Sequence, residues 1–473
     1  MKKHLLFILA VALGLASCQP KETKLYVASI NDMHGNIDNF PKLAYVLDSL
    51  RAVHPDLLLF SAGDNRSGNP INDRDSIPAR PMYELMNAVG FDLSCFGNHE
   101  WDSGVEALRT VMNIAKFPFV CANVTFEDSL NMTSKPYVII ERNGLKIGVI
   151  GAIQLGLNGL PDFHPDNAGG SHFRPAEEVL PEYMFLRDEC NALFLLSHRG
   201  FEEDMELAQQ VPQFDAIFGG HSHTLVNDNT FSDSVLVTQA QNKIKYLTLS
   251  TFTFDKNGKM IAKESHNIPV NTIKQKDEKI KAMVAEFNNN EAFLKVLGHN
   301  DAAIEDCYEC LGSLMADADR ILAKADMGFQ NFGGVRFDTM AVRPILLKDV
   351  LSLDPFDNEL IVFQMTGQEI VDFLGVSFFT DHGPNYCSGC TYTYSVDEEG
   401  QMKDCQVTLD NGKPMDLKAT YKVVMNSYMS SAFDFPHADP GTSTFRTSNE
   451  ALLEFLAANQ HIDYAGKIRQ FKK

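Results

Sequence analysis

Asp92-Leu93-Ser94-Cys95-Phe96-Gly97-Asn98-His99-Glu100 is the stretch that decides the fold. Four apolar or small residues suited to a short buried strand run straight into a polar quartet opened by glycine. The same arrangement recurs on either side. Asp32-Met33-His34-Gly35 follows the candidate strand Leu25–Ile30, and Gly63-Asp64-Asn65 follows Leu57–Ser61. Ser197-His198-Arg199-Gly200 follows Leu193–Leu196 at the end of the candidate strand Ala192–Ser197, and Gly219-Gly220-His221-Ser222-His223 follows Phe214–Phe218, which holds the candidate strand Ala216–Phe218. Phe119–Asn123 and Ile147–Ile153 read as further strands. Between them, Pro41–His54, Pro81–Val89 (stopped by Gly90) and Ser103–Ala115 show apolar residues at helical spacing. Strands alternating with helices predict an α/β layered domain, and in open α/β sheets ligands bind beyond the carboxyl ends of strands. Five polar strand ends would then meet in one crevice.

The residue types define the chemistry of that crevice. Two Asp, one Asn and four His offer hard oxygen and borderline nitrogen donors without a thiolate, a set suited to zinc, manganese or iron. Seven donors exceed the needs of one tetrahedral ion and match two ions sharing a carboxylate. Any one cluster alone is as readily a turn or a surface pair; the ordered set carries the inference.

Val235–Lys259 reads as a hairpin pair turning at Asp255-Lys256-Asn257-Gly258. The composition then shifts. Residues 271–294 hold Lys274, Lys276, Asp277, Glu278, Lys279 and Lys281, which predicts a solvated connector helix between a domain at 24–270 and a second at 295–473. A length of 473 residues is too great for one core. A formal charge of −21 excludes a nucleic-acid binder, since no basic block offsets it.

At the amino end, Lys2 and Lys3 precede an apolar run from Leu5 to Leu15 and then Ala16-Ser17-Cys18. This predicts a signal peptide over residues 1–17. Leu15-Ala16-Ser17-Cys18 resembles a bacterial lipobox, which implies a lipid on Cys18 and an exported protein held at a membrane by that lipid alone, in the periplasm or at the cell surface. Two pairs, Cys307 with Cys310 and Cys387 with Cys390, have Cys-x-x-Cys form but lie too far apart for a zinc ribbon. Local disulfides or buried free thiols are the simpler readings.

The ordered set Asp-x-His, Gly-Asp, Gly-Asn-His-Glu, a later His and Gly-His-x-His resembles the calcineurin-like metallophosphatases, and more narrowly the bacterial secreted 5'-nucleotidases. Asn331-Phe332-Gly333-Gly334-Val335-Arg336 resembles that family's Asn-Gly-Gly-Gly-[Ile/Val]-Arg loop, and Pro355-Phe356-Asp357-Asn358 its Pro-Phe-x-Asn segment. Thr366-Gly367 follows, and Tyr428 and Asp434 stand where the family has an aromatic and an Asp.

The resemblance implies a four-layer α/β/β/α metallophosphatase domain joined by a helix to a smaller α/β nucleotide-recognition domain. It implies two divalent ions, manganese, zinc or iron. Asp32, His34 and His223 would hold one, Asn98, His198 and His221 the other, and Asp64 both. His99 would be catalytic and Asp102 would orient it. Phe356 and Tyr428 would sandwich the base, Asn331 reach its edge, Arg336 a phosphate oxygen and Asp434 the ribose.

The implied reaction is hydrolysis of nucleoside 5'-monophosphates, outside the cytoplasm, by a hydroxide held between the ions. Two divalent ions less two carboxylates leave roughly +2, enough to draw a phosphate ester into an otherwise negative protein. The sequence departs from the family at Phe332 in place of a glycine and Tyr428 in place of the usual Phe. It also departs after Leu311-Gly312, where Ser313 and Asp317 precede Arg320 in place of phosphate-binding arginines, a pattern that favours monophosphates. The alternatives are a 2',3'-cyclic-nucleotide 2'-phosphodiesterase/3'-nucleotidase and, from another class, a non-catalytic nucleotide-binding lipoprotein. The second predicts lost metal ligands, and none is lost.

Overall fold

The computed structural model describes residues 22–132, 134–156, 158–380 and 383–473. The signal segment and Cys18 therefore lie outside the described residues. Among these residues no helix is long and apolar enough to cross a membrane.

Two six-stranded sheets build the first domain. One runs Met260–Ile268, Leu247–Phe254, Thr23–Ile30, Leu58–Ser61, Leu93–Cys95, Phe119–Val120. The other runs Phe231–Ser232, Val235–Thr238, Ala216–Phe218, Ala192–His198, Leu145–Ile153, Tyr137–Arg142. Period-two alternation sorts the side chains. Leu25, Val27, Leu58 and Phe60 point to a core between the sheets, where they meet Ile147, Phe194 and Phe218, while Ala28, Ile30 and Leu59 point to the opposite face. Aromatic rings bind the sheets together: between centroids Phe194 lies 4.6 Å from Phe252 and Phe60 5.8 Å from Phe218 across the interface, while Phe194 and Phe218 sit 5.3 Å apart within the second sheet. Helices Phe40–Val53 and Arg80–Val89 cover the outer face of the first sheet through Leu43, Leu47, Met82 and Leu85. Leu180, Leu186 and Leu207 cover the second. The result is four layers, α/β/β/α.

Inside each sheet the strands that precede the polar clusters are parallel. Their carboxyl ends consequently open on the same edge. That parallelism, and no local feature, brings residues 32, 64, 98, 198 and 221 together.

Two expectations need correction. Val235–Thr238 does not pair with the strand that follows it. It joins the second sheet beside Ala216–Phe218, and the hairpin through Asp255–Gly258 links Leu247–Phe254 to Met260–Ile268 in the first. Helix Glu278–Asn288 is no free connector either. Ile280 and Val284 are buried, and Met283 and Phe287 pack with them on the first core, an i, i+3, i+4, i+7 stripe among the lysines. The Asp277 side chain caps the helix by accepting from Ile280 N at 2.7 Å, and its own N–H donates to Pro41 O at 2.8 Å.

The second domain centres on a five-stranded sheet ordered Tyr386–Ser388, Met327–Gln330, Thr420–Asn426, Glu359–Thr366, Thr442–Thr447. Helices Tyr308–Ala323 and Ser448–Ala458 pack one face through Leu311, Leu314 and Leu452; helix Gly367–Thr380 packs the other through Ile370, Phe373 and Leu374. Cys307 and Cys310 form a disulfide, whereas Cys387 and Cys390 are buried free thiols.

Candidate active site at the domain junction

Asp32, His34, Asp64, His221 and His223 all hold left-handed backbone, with φ between 47° and 80°. Such conformations cost free energy in non-glycine residues and persist where surrounding bonds fix them. Asp32 N donates to Gly63 O and His34 N to Asp64 O, both at 3.0 Å, locking the first two loops edge to edge. Glycine makes the approach possible. A Cβ on Gly97 would stand 2.2 Å from Asp64 Oδ1 and 2.7 Å from His198 Cε1.

Glu100 ties these loops from below. It is fully buried and accepts from the N–H groups of Asp64 (3.0 Å), Asn65 (2.9 Å) and Gly97 (2.6 Å), and from Tyr83 Oη at 3.3 Å. Burial, with the Asp64 charge added, pushes its carboxyl up to about 7.

The structure gathers all seven metal candidates. Asp64 Oδ2 lies 3.2 Å from His198 Nε2 and 3.8 Å from His34 Nε2. His223 Nε2 lies 3.4 Å from Asp32 Oδ1 and 2.9 Å from His34 Nε2. Asn98 Oδ1 sits 3.2 Å from both His198 Nε2 and His221 Nδ1. Asp32, His34 and His223 form one close triad, and Asp32, Asp64 and His198 another.

Tautomers are set from outside. His198 Nδ1 donates to Ala62 O at 2.7 Å and His34 Nδ1 to Ser67 O at 3.0 Å, leaving both Nε2 lone pairs aimed inward. Asp162 Oδ2 lies 3.5 Å from His221 Nε2.

Charge balance shows that the cluster fits cations. Burial works against a charged His198, yet the Asp64 carboxylate outweighs it and pushes the imidazole up to about 10. At His34, burial and then Arg336 drive the ring well below its ordinary value. Carboxylates that draw a proton onto the buried His198, beside His34 and His223 rings that burial holds below their ordinary value with their Nε2 atoms 2.9 Å apart, leave a place that divalent ions suit. The two triads share Asp32, and Asp64 also groups with His34 and His99; this buried Asp/His cluster is consistent with a dinuclear metal site.

His99 Nδ1 lies 2.8 Å from Asp102 Oδ2, and His99 Nε2 3.9 Å from Asp64 Oδ2. Burial opposes its charge, but the Asp102 and Asp64 carboxylates outweigh it and raise the imidazole above its ordinary value.

From the second domain, Arg336 Nη2 comes within 3.1 Å of both ring nitrogens of His34, and its guanidinium lies 5.5 Å from the Phe356 ring centroid. Phe356 stacks on His99 at 5.7 Å. The Lys243 ammonium donates to Arg336 O while its backbone N–H donates to Asp32 O at 2.7 Å. Arg74 pairs with Asp357 at 2.6 Å across the same junction.

A cavity of about 580 Å³ opens here, lined from one side by Asp64, Asn98, His99 and His221 and from the other by Asn331, Phe332, Arg336, Phe356 and Tyr428. Asp434 is not among its lining residues. Phe433 and Phe435 both turn into the core, so strand-like alternation sends Asp434 out to solvent. Arg320 is spent elsewhere, donating to Ser388 Oγ at 2.6 Å, and Asp317 is held by Arg469 at 2.7 Å. Sequence reasoning missed Asp162, Lys243 and the role of Glu100. Only Glu100 left a signal, as the fourth member of its quartet.

Comparison with known proteins agrees with this geometry. Residues 25–225 match the calcineurin-like phosphoesterase family and residues 284–437 the 5'-nucleotidase C-terminal domain. The 5'-nucleotidase of Vibrio cholerae is 27% identical over 94% of this chain and 92% of its own length. Protein UshA of Escherichia coli is 26% identical over 97% and 95%. A crystal structure of a 5'-nucleotidase precursor from Thermus thermophilus superposes with a TM-score of 0.84 over 95% of this chain and 99% of that one, at 22% identity, which shows a shared fold. With both domains matched in order and the Asp/His cluster assembled, the chain belongs to the 5'-nucleotidase family and is a metallophosphoesterase hydrolase.

Proposed function

We propose that this enzyme hydrolyses nucleoside 5'-monophosphates to nucleoside and phosphate outside the cytoplasm. The observation that carries the reading is the cavity itself, which has the Asp/His cluster on one wall and Arg336, Phe356 and Tyr428 on the other. A phosphate end and an aromatic end of one small molecule would each find a partner.

Asp32, His34 and His223 would hold one divalent ion, Asn98, His198 and His221 a second, with Asp64 shared. When bound, the ions supply Lewis acidity at the phosphoryl oxygens and lower the pKa of a water nucleophile. The protein's own groups do the rest. Arg336 adds a fixed positive charge beside His34 for a phosphate oxygen. His99, whose imidazole the Asp102 and Asp64 carboxylates raise above its ordinary value against the effect of burial, would in its protonated form stabilise charge developing in the transition state and hold a proton for the departing ribose oxygen. Phe356 and Tyr428 would stack on the base, which suits any base, and Asn331 would meet its edge. With one arginine and no lysine among the described residues that line the cavity, a second phosphate has little to bind.

Export and a lipid on Cys18 form part of the proposal. The Leu15-Ala16-Ser17-Cys18 pattern supports them, and the Cys307–Cys310 disulfide suits an oxidising compartment. Incorporation of labelled palmitate that is lost in Cys18→Ser would support the anchor; equal labelling would exclude it.

The substrate is tested by phosphate release from 5'-AMP, 3'-AMP and 2',3'-cyclic AMP with manganese or zinc, with chelator and Asp64→Ala as controls. Chelator-sensitive release mainly from 5'-AMP is expected. Preference for the 3' or cyclic compound would move the function to a cyclic phosphodiesterase with 3'-nucleotidase activity.

A further inference from the structure

Away from the junction cavity, the described residues hold another cluster of metal-ligating side chains, His299, Asp301 and His461. His299 stands on the strand Val296–Asn300 and His461 on His461–Ile462. These strands pair in parallel with the two histidines directly opposite each other. Two backbone bonds fix the frame: His299 N donates to Gln460 O at 2.7 Å and Asp301 N to Ile462 O at 2.9 Å. Between His299 and Asp301, the buried Asn300 amide donates to Ala302 O at 2.6 Å and Met340 O at 3.0 Å, which holds the bend after the strand.

The side chains converge on that frame. Asp301 Oδ1 lies 2.7 Å from His299 Nδ1 and 3.0 Å from His461 Nδ1. The rings are 5.7 Å apart between centroids. One donor atom from each residue falls within 4.8 Å of the other two. The side chains are 35%, 46% and 71% exposed, so an ion can enter from solvent.

We propose that His299, Asp301 and His461 form a surface site for a zinc-class divalent ion, separate from the catalytic cluster. Two imidazoles and one carboxylate without thiolate favour zinc, cobalt or nickel over magnesium or calcium. Three protein donors leave a coordination position for water. Both histidines sit on paired strands, so the donors need little rearrangement to close on an ion. Its effect would be to clip the short strand His461–Ile462, near the carboxyl end, to the first strand of the second domain. Binding to the folded state alone then raises stability as free metal rises.

The competing reading is a hydrogen-bonded trio that needs no ion, and zinc binding separates the two. The intact protein without a histidine tag would carry Asp32→Asn and Asp64→Asn, which remove both carboxylates of the buried cluster. At micromolar free zinc, equilibrium dialysis should find zinc bound with an accompanying rise in melting temperature. Adding His461→Gln, which keeps size and a hydrogen-bonding group, should weaken that binding by about tenfold or more and abolish the rise, and His299→Gln should do the same. Equal melting of all three proteins without zinc confirms that the variants fold. Zinc binding unchanged by either substitution, or none in the double Asn protein, would overturn the proposal.

Discussion

Replacing Glu100 by Gln tests whether the metal loops are held from below by one carboxylate. The change keeps size and shape and swaps one acceptor oxygen for an NH₂ group. Oε2 accepts the backbone N–H of both Asp64 and Gly97, whereas Oε1 accepts Asn65 N and the more adaptable Asn65 Nδ2 and Tyr83 hydroxyl. The amide would therefore place its nitrogen at the Oε1 position, where the tyrosine hydroxyl can turn to accept. Asn65 N then faces a donor. One orphaned buried donor costs about 1–3 kcal/mol. For a domain of this size that lowers the melting temperature by about 2–10 °C. Loops 63–65 and 97–99 carry Asp64 and Asn98, so metal affinity should fall about 10–100-fold, as for other groups that orient ligands. Thermal melting without metal gives the first quantity, and equilibrium dialysis with zinc or manganese the second. Wild-type melting together with wild-type affinity would refute the reasoning. A loss of stability with unchanged affinity would reduce Glu100 to a structural residue.

Other expectations concern different parts of the molecule. His99→Asn should lower kcat by about 10²–10⁴-fold while leaving bound metal unchanged, because the proposed mechanism sets His99 against the reacting group and outside both ligand sets; loss of metal would reassign it to the group it forms with His34 and Asp64. Asp319 and Asp354 form a buried acidic pair in the second domain, and both carboxylate oxygens of Asp319 are without hydrogen bonds. Burial raises both, Asp354 up to about 6. The unfolded chain ionises these groups near pH 4, so they cost nothing below that pH; as pH rises, Asp354 reduces stability until about pH 6, by about 3 kcal/mol for its shift of roughly two units, and Asp319, held well above its ordinary value by burial and then by Asp354, adds in the same direction. Asp319→Asn should accordingly raise the melting temperature at pH 8 by several degrees and much less at pH 4. An equal shift at both pH values would contradict the assignment.

Much of the first domain is legible because its strands are buried on both faces and end abruptly in glycine-flanked polar residues. Apolar runs locate the strands, and glycine beside Asp64, Asn98 and His221 marks where backbones must approach. What escapes the sequence depends on distant packing. Asp162 and Lys243 lie in segments with no periodic signal, and each reaches the site only after chain far away in sequence has folded against it. The stripe Ile280, Met283, Val284, Phe287 is hidden by the lysines around it, so a docked helix reads as a solvated one. Val235–Thr238 is fit for either sheet by composition, and only pairing with Ala216–Phe218 assigns it. At Asp434 the two flanking phenylalanines, both core residues, outweigh a family resemblance that implied a ribose contact.

The central claim is that one cavity divides the work, with the Asp/His cluster acting on phosphate and the second domain recognising the nucleoside. Its most direct test compares kcat/KM for 5'-AMP and for p-nitrophenyl phosphate in the wild type and in Phe356→Ala. Stacking on one ring is worth about 1–3 kcal/mol, so the ratio favouring 5'-AMP should fall about 5–150-fold in the variant, chiefly through KM. Equal losses for both substrates, or none for either, would contradict the account.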